Sequence, residues 1–232
     1  MQSILKLIFV SLFIFSGCHS SVSRDTDHAA DRLEEIAGEL IELAKDDQRW
    51  EQMVIQGEVP ASSKERREFF AEKSRLMVVR GARCEAIFEE FGFPDYQMVG
   101  KEAGEAFWLI VQHSDHNPEF QENVVEAMKY AVMRGQADGT NLAYLTDRVL
   151  INTGRAQEYG TQLEYEHANA RAYPKELTKS AMVDERRARV GLEPLGEYMN
   201  SMSELFFMMN EEQLRENGVE GAYVYPEGFD DW

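Results

Sequence analysis

The polar side chains with the clearest capacity for chemistry lie at a predicted helix–turn–helix corner, over residues 108–121. His113 follows Ala106 and Ile110 at helical spacings of four and three residues, so it continues an apolar face and should be partly buried. A buried imidazole needs hydrogen-bond partners, and its titration near neutral pH suits a general base. Asp115 cannot orient the ring within a regular helix, because residues two apart point in different directions. The partner must therefore come from elsewhere, or the helix must end at residue 113.

A second polar group surrounds Asp147, which shares a predicted helix face with the apolar residues Ala143 and Leu150. An aspartate on an apolar face needs a partner, and the alternatives are Arg148, His113 or the loop 157–162. That loop offers two amides, a phenol and a hydroxyl, which are groups that bind polar ligands. They belong to Gln157, Tyr159, Thr161 and Gln162.

These observations define one set of candidate catalytic or ligand-binding residues, which we expect to line a shared pocket. Asp147 would hold the imidazolium of His113, and Tyr159 or an amide would stabilise a developing negative charge. The alternative is that the same side chains only satisfy one another inside the fold. The full set is Gln112, His113, Asp115, Asp147, Arg148, Gln157, Tyr159, Thr161 and Gln162.

Metal and cofactor motifs have little support in this sequence. Glu164 and His167 have the Glu-x-x-His spacing of carboxylate-bridged metal pairs, but those pairs need the motif twice and it occurs once. His113 and His116 are three residues apart, without a His-Glu-x-x-His motif or a cysteine pair beside them. Glycine-rich phosphate loops and the Gly-x-Ser-x-Gly nucleophile motif are also absent. We therefore predict no metal and no cofactor.

The charge balance limits the possible partners. The sequence has 24 Lys and Arg against 42 Asp and Glu, a formal net charge of −18. Nucleic acid is a poor partner for such a chain, because phosphate contacts need a basic surface. A basic protein of the cell envelope would suit an acidic surface better.

The first 17 residues have the pattern of a signal peptide, with Lys6 ahead of the apolar run 7–15. That run is far shorter than the ~20 residues that span a bilayer. Two small residues followed by Cys18 resemble the bacterial lipoprotein signal. The resemblance implies that Cys18 is acylated and that lipid holds the protein on the cell membrane or outer membrane, facing the periplasm or exterior. The short polar segment that follows is rich in serine, so 18–26 is expected to be the lipidated cysteine and a tether. Cys84 would then have no intrachain disulfide partner.

Hydrophobic periodicity predicts a mainly α chain: a single domain over 27–232, with six or seven helices and a short loop or hairpin near 155–166. Capping signals mark two helix starts, at Ser62 with Glu65 and at Asn117 with Pro118. The predicted helices cover about 27–47, 62–91, 101–113, 117–135, 141–153, 182–192 and 195–209. The charged run 184–189 is expected to be a solvated helix face.

Several ordered motifs resemble a bacterial family whose domain has no known function. They are Trp108 with Gln112-His113 and Asp115, then Gln121, the run 143–148, Gln157 with the run 159–162, and finally 183–187 with Gly191-Leu192. The resemblance covers about residues 100–200 and implies that these segments form one module. It implies no activity. We therefore expect an envelope lipoprotein that binds or hydrolyses a small polar ligand or peptide, the alternative being a non-catalytic structural or interaction protein.

Overall fold

The computed structural model describes the backbone of residues 22–229 and Trp232, and side chains from residue 30 onward. The predicted signal segment 1–17 and the predicted acylation site Cys18 lie outside the described residues. The prediction of a mainly α chain is confirmed. Within the described residues, regular structure consists of helices α1–α9, one turn of 3-10 helix at Ser180–Met182 and one antiparallel hairpin, β1–β2.

The helices are α1 (Val22–Ile55), α2 (Ser63–Phe91), α3 (Tyr96–Val99), α4 (Lys101–Gln112), α5 (Pro118–Met133), α6 (Gly139–Asn152), α7 (Val183–Arg189), α8 (Leu195–Met209) and α9 (Glu211–Glu216). The hairpin pairs β1 (Leu163–Glu166) with β2 (Arg171–Pro174), with Tyr165 opposite Ala172. None of the described helices is both long enough and apolar enough to cross a membrane.

Side-chain caps explain where several helices begin. Ser62 accepts a hydrogen bond from the Glu65 amide at 3.2 Å, as the capping box predicts. Asn117 accepts one from the Phe120 amide at 3.2 Å, so the predicted start of α5 is confirmed. Asp138 caps α6, which therefore begins two residues earlier than its predicted start.

Other predicted boundaries were wrong. Helix α1 begins at Val22, inside the predicted tether 18–26, and continues to Ile55 because neither glycine nor proline interrupts it between residues 39 and 56. The segment 155–162 is a loop and strand β1 lies within the predicted range 155–166, but the hairpin continues beyond that range to residue 174. Helices α3 and α9 were not predicted, since four and six residues are too short to show a helical period.

Two hydrophobic clusters form the core. The larger one joins α1, α2, α4, α5 and α6 around Phe107, and it includes the fully buried Cys84. The smaller one joins Val183, Leu195, Met199 and Tyr225, from α7, α8 and the C-terminal segment. Gly160 lies in the loop between them with φ near +74°, and a Cβ there would come within 2.8 Å of Leu195 Cδ1. Only glycine allows this turn to approach α8 so closely.

Candidate functional site

His113 lies directly after α4 and hydrogen-bonds to Asp47 of α1, with Nδ1 2.7 Å from Oδ2. The His113 side chain is 18% exposed and the Asp47 side chain is 3% exposed. The helix does end before His113 and the partner does come from another element, as the sequence required. Asp47 itself was not among the predicted residues.

Arg80 of α2 completes this group from the other side of Asp47. Its side chain is 3% exposed, and Nη1 lies 3.3 Å from Asp47 Oδ1 while Nη2 lies 2.5 Å from Asp46 Oδ2. Because an ionised carboxylate can only accept hydrogen bonds, Nδ1 of His113 must carry the proton that is shared with Asp47. In its neutral form the ring then has its lone pair on Nε2, which makes no hydrogen bond with the residues that the structure describes.

Glu51 brings a second carboxylate close to the same ring. Three potential metal-ligand atoms lie within 4.8 Å of one another, one each from Asp47, Glu51 and His113. Atoms at this spacing could bind one metal ion. However, Lys73 Nζ lies 2.6 Å from Glu51 Oε1, and Arg80 contacts Asp47. Both carboxylates already have a cationic partner, which offsets part of the negative charge that would attract a metal ion.

A close helix contact fixes the corner that carries His113. Gly81 faces this corner, and a Cβ on it would lie 2.6 Å from Ser114 Oγ and 3.1 Å from His116 Cε1. Asn117 Nδ2 also donates to both carboxylate oxygens of Glu85 at 3.0 Å. Helix α2 can approach the turn after α4 because residue 81 has no side chain.

Asp115 belongs to a separate group with Arg148. Two guanidinium nitrogens lie 2.7 and 2.6 Å from its oxygens, and Asn152 Nδ2 donates at 2.9 Å. Burial raises the pKa of Asp115, but the hydrogen bond and charge of Arg148, together with Gln121, outweigh it and hold the pKa below its usual value. Arg148 thus pairs with Asp115 rather than with the neighbouring Asp147.

Asp147 is completely buried and organises the loop 157–162. Its carboxylate accepts hydrogen bonds from the amides of Glu158, Tyr159 and Thr161 at 2.8, 3.0 and 2.9 Å, and from the Thr161 hydroxyl at 2.9 Å. The loop was one of the three partners considered for Asp147. This carboxylate has its hydrogen-bonding capacity filled by the protein itself.

The side chain of Gln157 is also satisfied internally. Gln157 is fully buried, donates to the carbonyls of Gln162 and Lys175 at 2.8 and 3.0 Å, and accepts from the Gln162 amide at 2.9 Å. Among the described residues, no hydrogen bond joins His113 to Asp147 or to this loop. The predicted set is therefore divided into a His113 group, an Asp115–Arg148 group and an Asp147 loop group.

The expectation of a solvated face at 184–189 holds for Asp184, Glu185 and Arg189, which are exposed, but was wrong for Arg187 and in part for Arg186. Arg187 is 1% exposed, donates to the carbonyls of Tyr159 and Glu193 at 2.7 and 2.6 Å, and lies 4.9 Å from the ring centroid of Tyr198. Arg186 donates to the Glu158 carbonyl at 2.7 Å. The sequence did contain a signal, since Arg187 lies four residues after the buried Val183 and so shares its face.

The Glu-x-x-His spacing has no metal-site geometry. Glu164 is in strand β1, where a separation of three residues does not bring side chains to one face as it does in a helix. The ring of His167 instead packs edge-on against Phe206, with centroids 4.9 Å apart. His167 therefore packs against Phe206 of α8.

A cleft of about 550 Å³ lies between α1, α4 and the start of α6. Sequence reasoning missed it, although it singled out Trp108, which lines the cleft. Gln48 directly follows Asp47, and Leu109 precedes His113 by one helical turn, so the cleft adjoins the His113 group. The lining residues are Ile41, Ala44, Lys45, Gln48, Glu102, Glu105, Ala106, Trp108, Leu109, Asp138 and Asn141.

Comparison with known families places the chain in one of them. Residues 34–209 match a family of unknown function, DUF6624, and the chain belongs to that family. The match is wider than the predicted module 100–200 and includes Asp47 and Arg80 as well as His113. No curated protein and no solved structure shows significant similarity to the chain.

Proposed function

We propose that this chain is a membrane-anchored bacterial envelope lipoprotein that binds a small polar ligand beside His113 and transfers a proton to or from it. The proposal is carried by the 2.7 Å contact between His113 Nδ1 and a buried Asp47 oxygen. A carboxylate that fixes one ring nitrogen and leaves the other free is the arrangement used in acid–base catalysis.

The surroundings of the pair support this role. Arg80 holds the second oxygen of Asp47, so the carboxylate cannot rotate freely away from the ring. His113 keeps a partly exposed side chain, so part of the ring is accessible to a ligand. Hydrolysis is the reaction class that such a pair serves most directly, with His113 as general base towards water and Asp47 as its positioning residue.

Chemical modification tests the pair without knowledge of the ligand. Diethyl pyrocarbonate reacts with the neutral imidazole lone pair, and the exposed His116 provides an internal reference in the same peptide digest. We expect Asp47→Asn to slow modification of His113 several-fold relative to His116, because an amide can donate to Nδ1 and leave the ring proton on Nε2. Asp46→Asn is the matched control, since Asp46 contacts Arg80 and has no hydrogen bond to the ring. Equal rates in both variants would contradict the assigned tautomer.

Ligand retention tests the function itself. The mature chain is dialysed against a small-molecule extract of cell envelopes, and retained compounds are identified by mass spectrometry. We expect at least one compound that the parent chain and Asp46→Asn retain to be lost from His113→Gln and Asp47→Asn, while thermal unfolding shows that all four proteins are folded. The proposal fails if His113→Gln is folded and still retains every compound.

Lipid anchoring is supported by the leader pattern, the small residues 16 and 17 and the cysteine that follows them. Two or more acyl chains would anchor the chain stably, at ~0.8 kcal/mol for each buried methylene. A Cys18→Ser substitution should release the chain from the membrane fraction and remove the mass of the lipid. Unchanged retention and unchanged mass would show that Cys18 is not acylated.

A non-catalytic interaction lipoprotein is the second candidate. It is favoured by the internal use of Asp147, Gln157 and Arg187, which gives the loop 157–162 a structural role. A net charge of −18 would then attract a basic envelope protein. Under this alternative His113→Gln would change thermal stability and would leave small-molecule retention unaffected.

A further inference from the structure

The cleft between α1, α4 and the start of α6 has the dimensions of a ligand site. Its volume of about 550 Å³ is within the range of ~300–1,000 Å³ that small-molecule pockets occupy. The lining excludes His113 and Asp47, so the cleft is a second feature beside the proton-transfer pair. The residues at the base of the cleft, its floor, and those at its edge, its rim, indicate which class of ligand it binds.

The floor of the cleft is apolar and holds an aromatic ring in a fixed position. Ile41 and Ala44 of α1 face Ala106, Trp108 and Leu109 of α4 across it. The indole N–H of Trp108 donates to the Asn141 carbonyl at 2.9 Å, which satisfies the only polar atom of that side chain. The floor therefore offers apolar and π surface to the non-polar body of a ligand.

The rim is acidic. Glu102, Glu105 and Asp138 line it, against a single cationic side chain, Lys45. Lys45 Nζ lies 2.7 Å from Glu42 Oε1, so an adjacent carboxylate offsets its charge. The rim thus has a net negative charge before any ligand arrives.

The three rim carboxylates differ in the hydrogen bonds and ion pairs that they already make with the protein. Glu102 is exposed and has no hydrogen bond or ion pair with any other residue that the structure describes. Glu105 has only a 3.5 Å contact with the exposed Lys101 and a 3.5 Å hydrogen bond from Tyr96. Asp138 uses Oδ1 to cap α6 through the Asn141 amide at 3.0 Å. Glu102 and Glu105 are therefore the carboxylates best able to bind a cation.

We infer that this cleft binds an organic cation with an apolar body, of the alkylammonium or arylalkylammonium class. The apolar body would lie on the floor, and the ammonium would contact Glu102 and Glu105 with the Trp108 ring nearby. An anionic ligand of the same shape would be repelled by the rim and by the charge of the whole chain. The inference goes beyond the proposed function and does not depend on it.

Three probes of equal length test the charge preference: hexylammonium, hexan-1-ol and hexanoate. Each is titrated into the mature chain at neutral pH, and the Trp108 indole N–H resonance is followed by NMR after assignment with Trp108→Phe. We expect hexylammonium to bind about tenfold more tightly than hexan-1-ol and hexanoate to bind least, with an ammonium affinity that falls as salt is added. Equal binding of the alcohol, or no shift of this resonance with ~10 mM hexylammonium, would overturn the inference.

Rim variants test which carboxylates matter. Glu102→Gln combined with Glu105→Gln should remove most of the preference for hexylammonium over hexan-1-ol, and Glu102→Lys should reverse it. Glu126→Gln is the matched control, because Glu126 is an exposed glutamate on α5 that pairs with Lys129 away from the cleft. An unchanged preference in the folded double variant would overturn the inference.

The two sites can fail separately. His113→Gln removes the proton-transfer group but no lining residue of the cleft, so the hexylammonium titration should be unchanged by it. If His113→Gln abolishes proton-transfer function and leaves hexylammonium binding intact, both assignments stand. If hexylammonium fails to bind the parent chain while His113→Gln still loses envelope compounds, only the cleft assignment falls.

Discussion

Asp147 shows how a single buried carboxylate can determine the shape of a loop. Three amides and one hydroxyl from residues 158–161 point at its two oxygens, all within 3.0 Å. An amide side chain of the same size offers only one accepting oxygen. The loop therefore depends on the carboxylate in particular, rather than on any polar residue at this position.

We expect Asp147→Asn to lower the free energy of unfolding by ~3–5 kcal/mol, because it leaves buried donors without an acceptor. Urea unfolding followed by circular dichroism measures the change. Asp115→Asn is the control: Asp115 is 41% exposed beside Arg148, and such a surface pair contributes ~1 kcal/mol or less. A smaller loss for Asp147→Asn than for Asp115→Asn would contradict the role assigned to the loop carboxylate.

The reactivity of the two cysteine thiols reports both the burial of Cys84 and the acylation of Cys18. Burial raises the pKa of the Cys84 thiol to about 12, so the folded chain should not react with a thiol reagent at neutral pH. In denaturant, the mature chain should show one reactive thiol if Cys18 is acylated and two if it is not. A thiol that reacts in the folded Cys18→Ser chain would contradict the burial of Cys84.

At the level of single residues, the sequence predicted local environments better than distant partners. Helical spacing indicated that His113 and Asp147 would be partly or fully buried, and both are. Asp47 was not predicted as the partner of His113, because it lies 66 residues earlier on a different helix. A hydrophobic periodicity within one segment gives no information about a contact between residues so far apart in the sequence. Arg187 was misjudged because a run of charges hid its position on a buried face.

Among the elements, the contact between α2 and the corner after α4 is the one most sensitive to a small change. Gly81→Ala places a Cβ 2.6 Å from Ser114 Oγ, a side chain that is 1% exposed and donates to the Ile110 carbonyl. We expect this overpacking to cost ~1–3 kcal/mol and to outweigh the ~1 kcal/mol that alanine gains over glycine in a helix.

Gly38→Ala is the matched control for this contact. Gly38 also lies within a helix, α1, and nothing stands within 4 Å of the position that its Cβ would occupy. This variant should therefore be stabilised, by up to ~1 kcal/mol. Thermal unfolding of the two variants should shift in opposite directions, and a rise in the melting temperature of Gly81→Ala would contradict the close approach.

Element boundaries could be predicted where a side chain caps a helix. Asn117 with Pro118 and Ser62 with Glu65 marked their helix starts correctly. The start of α1 could not be predicted, since serines in the segment 20–26 are compatible with either a tether or a helix. The loop and the first strand of the hairpin fall in the predicted range 155–166, but the second strand was not predicted, because four residues are too few to show a clear alternation.

Acid stability is a property of the whole chain: the pKa values of Glu39, Glu72 and Asp115 are lowered, whereas burial raises the pKa of Asp147 and acts in the opposite direction. A hydrogen bond from Arg83 lowers the pKa of Glu39, although burial opposes this effect. Burial also raises the pKa of Asp115, but Arg148 outweighs it and lowers that pKa overall. A carboxyl with a lowered folded-state pKa stabilises the fold above its unfolded pKa of about 4 and loses that contribution as the pH falls. We expect stability to decline from about pH 5 downward, and the double variant Glu39→Gln with Asp115→Asn to decline less steeply. Urea midpoints measured between pH 3 and 7 test this, and parallel curves would contradict it.

Because its interior is divided into two hydrophobic clusters, this protein is expected to unfold in two steps rather than as one cooperative unit. The loop held by Asp147 and the tight fit of Gly160 against Leu195 are two of the links between them, beside the contact of Tyr144 with Tyr198. Native-state hydrogen exchange should therefore resolve two groups of amides, with those of β2 and α8 exchanging through a sub-global opening that leaves α1 and α4 protected. The C-terminal third would then be a foldon that can detach transiently while the part of the protein carrying both proposed sites stays intact.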